Sequence, residues 1–497
     1  MAPEGATAEK RQSYAGQPDE DGAKDVLSLG DVDPALDKKM RLVNDAIDEI
    51  GWTPYHLKLF FLNGFGYSVD SMILLFQAIV ADQAFLEFGK RGYSHALTVA
   101  VYCGMLAGAV FWGCTADLLG RKYAFNVTLF LCAVSCIVAG AVTGWPALGG
   151  LIALLGFFGG GNLILDTTVF LEFLPGSKQW VLTMLACWWG LGQAVAGLIG
   201  WVFLVPKPWN CSDDEAATCS AFKNRGWRYV LFTGGGLVFV LSLLRMAIIR
   251  LRETPKYLLS MGRDAELVET LQFLALKYGR PCSLTLGQLE ACGPMRPRAR
   301  NRRRCVLAGA WRHLSGLFST RVMARSTLML WLSWTLIGLA YPLFYVFLPE
   351  YLKRRGLESG GGKQDVWRNY AVTAACGIPG LTMAAGALAT GVFFVAYTQV
   401  KSAGEETAMM CLVACLINVY YGTLYAYTAE VLPSAHRATG NGVAVACNRV
   451  MGIASALVAT FADTATPAPL YVCAALMVAA AVVAALFPLE PYGRRSS

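Results

Sequence analysis

Gly113-Cys-Thr-Ala-Asp117-Leu-Leu-Gly120-Arg121-Lys122 joins two apolar stretches and fits Gly-x3-Asp-x2-Gly-Arg-Lys at every specified position. Glycines permit a very short helix-to-helix turn, Asp117 can cap a helix or pair with a neighbouring base, and Arg121 and Lys122 keep the turn on the cytoplasmic side. Charges placed this way can latch two pieces of a bundle in one conformation and release them in another. The flanking stretches belong to a series of eleven apolar segments, at about 57–80, 94–114, 123–143, 148–173, 180–204, 228–249, 326–349, 369–400, 408–429, 438–461 and 469–488. Most reach the ~20 residues needed to cross about 30 Å of hydrocarbon as a helix.

Composition agrees. Of 497 residues, 55% are hydrophobic and 15% charged, against about 25% charged in ordinary soluble chains. An outer-membrane barrel would instead show alternating segments of about ten residues, and a disordered chain would lack the aromatic content. The expected fold class is therefore all-α, a polytopic membrane protein. Its expected parts are a disordered cytoplasmic tail with an amphipathic helix (1–56), a six-helix bundle (57–249), a basic cytoplasmic loop (250–325), a second bundle (326–488) and a short cytoplasmic tail (489–497). No charged-then-apolar start suggests a signal peptide. Leu36, Met40, Val43, Ile47 and Ile50 recur at helical spacing, which predicts a helix lying on the membrane or on the bundle.

The net charge of +8 raises a nucleic-acid reading, but the excess sits between spans: Arg250 to Arg325 carries 15 Lys/Arg against 5 Asp/Glu. That is the pattern of a loop retained in the cytoplasm, so no nucleic-acid partner is expected. The run Arg296 to Arg304 can in addition meet anionic lipid head groups. Most of the 15 Cys lie inside apolar runs, where a thiol behaves as a small hydrophobe. Cys211 and Cys219 lie in a polar stretch and are a candidate disulfide if that loop faces an oxidising side. Asn210, in Asn210-Cys211-Ser212, is a candidate glycosylation site beside them, a chance sequon being the alternative.

An internal repeat is visible. Glu172-Phe-Leu-Pro175 ends the fourth segment and Glu430-Val-Leu-Pro433 ends a later one, each with a glutamate closing an apolar helix and a proline stopping it. The Gly113–Lys122 turn, together with Asn63-Gly-Phe-Gly-Tyr-Ser-Val-Asp70, Gly156-Phe-Phe-Gly-Gly-Gly-Asn162-Leu-Ile-Leu-Asp166, Asn224-Arg-Gly-Trp-Arg228, Arg252-Glu-Thr-Pro-Lys256, Ile337-Gly-Leu-Ala-Tyr-Pro-Leu-Phe344, Gly377-Ile-Pro-Gly380 and Pro433-Ser-Ala-His-Arg-Ala-Thr-Gly-Asn-Gly442, resembles the major facilitator superfamily. Within it the closest likeness is to the synaptic-vesicle-transporter-like branch beside the sugar porters, of fungal type. The resemblance implies two six-helix bundles and a conformational latch of Gly113, Asp117, Gly120, Arg121, Lys122 and Glu172, with Glu430 and Arg437 in the second half.

Two departures stand out. Where many members carry an arginine four residues before the first glycine of the fourth span, this chain has Ile152, so the proton-coupling pair that sugar porters build there is not expected. The second-half counterpart of the charged turn is missing, because residues 371–400 hold no charged residue. As one helix the 32 residues 369–400 span about 48 Å, whereas two crossings need about 60 Å before any turn. The second bundle is therefore expected to lack part of its eighth and ninth spans, with roughly 15–20 residues missing between Gly380 and Gly391.

Ionisable groups inside a membrane are functional candidates by default, since each costs several kcal/mol unless compensated. Here they are Asp70, midway along the first span, Asp166 in the fourth and Arg449 in the tenth segment. Asn162 lies one helical turn from Asp166, and Asn448 precedes Arg449. A structural ion pair between Asp166 and Arg449 and a proton or substrate pathway both fit; Arg449 also suits an anionic substrate group. Tyr421 and Tyr425 can line a cavity or simply pack. Gly159-Gly-Gly161 follows no strand, which favours helix packing over a nucleotide loop. No nucleophile, metal-ligand or nucleotide constellation appears, so no enzyme, cofactor or metal is expected. The expected function is secondary transport of a small organic solute, an organic anion, sugar or similar, by alternating access with protons, in the plasma membrane or a vacuolar or endosomal membrane. A non-transporting membrane sensor on the same fold is the alternative.

Overall fold

The computed structural model of the chain describes residues 34–88, 95–205, 207–211, 219–248, 252–293, 314–318, 320–358, 368, 372, 383–398, 403–432, 437–461 and 468–488. Among them every extended element is helical. The first half comprises α2 (Pro54–Glu87), α3 (Ala96–Leu119), α4 (Arg121–Gly140), α5 (Trp145–Phe173), the short α6 (Val181–Met184) continued by α7 (Ala186–Leu204), and α8 (Gly226–Ile248). The second comprises α12 (Arg321–Glu358), α13 (Met383–Tyr397), α14 (Ala403–Val431), α15 (Arg437–Phe461) and α16 (Ala468–Ala485). Nine helices among the described residues are long and apolar enough to cross a membrane, and two further apolar helices, 96–112 and 385–397, are shorter. These eleven correspond to the eleven apolar segments of the sequence.

The amphipathic segment forms α1 (Pro34–Ile50), and its apolar face has a protein partner. Val43, Ile47 and Ile50 pack with Leu258, Leu267, Leu271 and Leu289 from α9 (Pro255–Ser260), α10 (Asp264–Lys277) and α11 (Leu286–Ala291) of the loop, making a second core apart from the bundles. Lys39 pairs with Asp264 at 2.5 Å. The Ser283 N–H and hydroxyl donate to Glu49 Oε2 at 2.7 and 2.8 Å, which holds the Glu49 carboxyl below its ordinary range. Asp48 accepts the Gly176 N–H at 2.6 Å, just past the end of α5.

Packing repeats between the halves. α2 packs on α5, α7 and α8 as α12 packs on α14, α15 and α16, and α4 packs on α5 and α8 as α13 packs on α14 and α16. So α13 holds the place that α4 holds in the first half, that of the ninth span. α3 packs tightly on α5 and also reaches across to α15; among the described residues no second-half helix occupies the place matching α3. Of the stretch between Gly380 and Gly391, where a shortfall is expected, the described part from Met383 lies in α13, which runs unbroken to Tyr397. Residues 373–382 fall outside the described residues.

Candidate functional site

At the Gly113–Lys122 turn the backbone enters α4 through Gly120, whose φ of +105° is a left-handed conformation that favours glycine. A side chain there would also strike the Glu253 carboxylate. Glu253 Oε1 accepts the N–H groups of Arg121 and Lys122 at 3.0 and 3.4 Å. A carboxylate at a helix N-terminus satisfies free donors and opposes the helix dipole. Arg121 forms an ion pair with Glu172, and its guanidinium lies 5.9 Å from the Tyr257 ring centre. The turn after α3, the end of α5 and the loop helix α9 thus meet at one charged junction. Gly113 and Asp117 lie in the last turns of α3, but the Asp117 side chain, like that of Arg437 at the start of α15, is outside the description; Glu430 is half-buried near the end of α14.

The opposite end of the first half has its own tie, which explains Asn224-Arg-Gly-Trp-Arg228. Arg228 grips both oxygens of Glu87 at 2.5 and 2.8 Å, Trp227 Nε1 donates to Glu87 Oε2 at 2.8 Å, and Asn224 Nδ2 donates to the Gln83 carbonyl at 2.6 Å. The Cys211–Cys219 disulfide is formed beside it. Asn210 is half-buried and its amide nitrogen donates to the Phe203 carbonyl at 2.8 Å, so the atom that glycosylation would use is already engaged.

Between the two ends lies the buried ionic cluster. Arg245, from the last turn of α8, pairs with Asp166 and donates to Asn162 Oδ1 at 3.1 Å, while Asn162 Nδ2 donates to Asp166 Oδ2 at 2.9 Å. The guanidinium also lies over the Phe125 ring, where a cation is attracted to the aromatic face. The partner of Asp166 is thus Arg245 and not Arg449. Arg245 is absent from the sequence-derived candidates; its signal was an arginine flanked on both sides by apolar residues, hidden by its closeness to the basic loop. Gly66 of α2 leaves the space that the Asp166 carboxylate and Asn162 amide fill.

Asp70 is 0% exposed, and neither carboxylate oxygen has a hydrogen bond of good geometry. Within electrostatic reach are Asn162, Asp166, Arg245 and Arg449. Arg449 is 2% exposed, its Nε has no hydrogen-bond partner, and no described carboxylate lies at salt-bridge distance from it. Around Arg449 stand Tyr102, Tyr421 and Tyr425. Tyr421 stacks on Trp189 at 6.0 Å and abuts Tyr341 at 5.3 Å, while Tyr425 meets Trp334 edge-on at 4.6 Å. Trp189 Nε1 and Gln193 both donate to the Tyr341 hydroxyl. Aromatic side chains of α7, α12 and α14 therefore meet across the boundary between the halves. A small cavity of about 30 Å³ adjoins them, lined in part by Gln77, Thr98, Tyr102, Gln193 and Tyr341. Asn448 is buried against Gly338 of α12.

Two repeated helical bundles, with an ion pair buried inside the first and a buried arginine contributed by the second, have the architecture of a polytopic membrane protein. The Major Facilitator Superfamily profile matches residues 59–418, and the chain belongs to that superfamily as a multi-pass integral membrane transporter. It is 37% identical to "MFS siderochrome iron transporter 1" of Ceriporiopsis subvermispora, over 95% of this chain and 94% of that one. It is 35% identical to "Major facilitator-type transporter hxnZ" of Emericella nidulans, over 92% and 87%. Among solved structures, a partially occluded inward-open form of the xylose transporter XylE from E. coli aligns with a TM-score of 0.63 at 12% identity, covering 88% of this chain and 99% of that one. That likeness carries the fold alone.

Proposed function

We propose that the protein is a secondary active transporter that moves a small organic solute by alternating access, coupled to protons through Asp70. The observation that carries this reading is the fully buried Asp70 carboxylate, with no hydrogen bond of good geometry, next to a cluster in which Asp166 is already matched by Arg245. An unmatched carboxylate inside hydrocarbon is tolerated only when it is protonated or when a cation compensates it, so a group that alternates between those conditions suits an ion-coupled cycle. Arg449 and the aromatic side chains at the boundary of the halves supply the solute contacts. The Arg121–Glu172–Glu253 junction acts as the latch: it ties α4, α5 and the loop helices in one state and must part in another. Comparing metabolites taken up by cells with and without the protein identifies the solute. Its accumulation should collapse when a protonophore removes the pH gradient; accumulation that persists unchanged would end the proton-coupled reading.

A further inference from the structure

Charge counting at the cluster narrows what the solute can be. Among the described residues four charged groups are buried within the spans, apart from the Arg121–Glu172 junction: Asp70 on α2, Asp166 on α5, Arg245 in the last turn of α8 and Arg449 on α15. Two negative and two positive charges balance. Asp166 and Arg245 satisfy each other directly, whereas Asp70 and Arg449 are near enough to interact without a salt bridge, each keeping unpartnered polar atoms. The other titratable or charged side chains facing these two are Tyr67 on α2, Tyr102 on α3, Cys132 on α4, and Tyr421 and Tyr425 on α14. Placing a proton on Asp70 removes one negative charge and leaves a buried excess of one positive charge, held by Arg449. Uncompensated buried charge is expensive, so the loaded cluster calls for one negative charge from outside.

Building on the proton-coupled reading, we infer that the solute is a monoanion whose carboxylate sits on Arg449 beside a flat ring, and that one proton joins Asp70 as it binds. Guanidinium presents the donors that match a carboxylate. The Tyr425 hydroxyl, beside that of Tyr421, lies within electrostatic reach of the same arginine, and Trp189, Tyr421, Trp334 and Tyr341 provide ring faces and edges for an aromatic partner. Transport is then electroneutral, one proton with one monoanion. A neutral solute such as a sugar would leave the extra positive charge buried, and a dianion would reverse it.

The test uses the purified full-length protein, with benzoate, phenylacetate and cinnamate as probes and benzamide as the uncharged counterpart of benzoate. At least one carboxylate should bind, benzamide should not, and the carboxylate's Kd should weaken about tenfold per unit rise in pH above neutrality, the slope for one proton taken up with each anion. Asp70→Asn, which fixes the neutral form, should bind the same carboxylate with a Kd that no longer follows pH. Arg449→Gln should lose binding and Arg449→Lys should recover part of it; elution as a monodisperse peak confirms that each variant folds. A pH-independent Kd in the unaltered protein, equal binding of benzamide, or binding of none of the three carboxylates would overturn the inference. Any of these beside intact proton-driven accumulation of the solute found by metabolite comparison would leave the transport reading standing. Loss of that accumulation's dependence on protons would remove the transport reading instead.

Discussion

In the first half α2 is packed by α5, α7 and α8; in the second α12 is packed by α14, α15 and α16, in the same arrangement. The chemistry placed on that shared frame differs. Asp166–Arg245, Glu172–Arg121 and Glu87–Arg228 all lie within the first half, and so does Asp70. At the boundary the second half contributes one deeply buried cation, Arg449, and the aromatic side chains Trp334, Tyr341, Tyr421 and Tyr425. A duplicated fold can thus divide its labour, with carboxylates and their partners on one side and, in the proposed reading, the cation that meets the solute on the other. The halves also differ in completeness, since α3 has no counterpart among the described second-half residues.

The largest expected effect tests the first-half ion pair. Asp166→Ala leaves Arg245 charged and dry, and should cost about 3–5 kcal/mol, read as a large fall in the unfolding temperature in detergent. The double variant Asp166→Ala with Arg245→Met removes both charges and should regain most of that loss. A single variant as stable as the parent would refute the pairing.

A second effect concerns α3. Gly104 and Gly108 on α3, and Gly156 and Gly160 on α5, leave no room for a β-carbon, because each would run into the facing helix's backbone. Gly108→Val should therefore destabilise by about 1–3 kcal/mol. On α13, where the nearest neighbour of Gly386 is a Val419 methyl at 3.2 Å, Gly386→Ala should cost less. Equal costs would break the distinction between a tight helix pair in the first half and a looser one in the second. The same comparison predicts that a complete transcript adds residues between Gly380 and Gly391. A messenger that reads straight through would make the asymmetry a property of the protein.

How far the sequence carried these features depends on whether the signal was local. Span positions were legible because each is a continuous apolar run, and the Gly113–Lys122 turn because its charges interrupt such runs. Which charge meets which was not. Arg245 lies 79 residues from Asp166 and looks like the edge of a basic loop until α8 is folded against α5. Glu253 was seen as part of Arg252-Glu-Thr-Pro-Lys256, while its service to the N-terminus of α4 requires a contact 132 residues away. The helical period of α1 was plain, but the sequence left open whether its apolar face met lipid or protein. The answer lay in Leu258, Leu267 and Leu271, which form a matching face only after the loop folds.

The smallest expected effect on stability is at the Arg121–Glu172 junction. Arg121 and Glu172 retain some exposure, with side chains 15% and 10% accessible. Arg121→Gln should therefore cost about 1 kcal/mol, while changing the balance of conformations. Cysteine accessibility on the cytoplasmic side should rise in Arg121→Gln, and an unchanged labelling rate would count against a latch.

The division of labour between the halves is tested most directly by measuring uphill accumulation and solute counterflow together in proteoliposomes, for Asp70→Asn and Arg449→Gln. The account predicts that Asp70→Asn loses accumulation driven by a pH gradient yet keeps counterflow, since the solute contacts are intact. Arg449→Gln should lose both. Accumulation against a gradient by Asp70→Asn, or counterflow by Arg449→Gln at the rate of the unaltered protein, would contradict it.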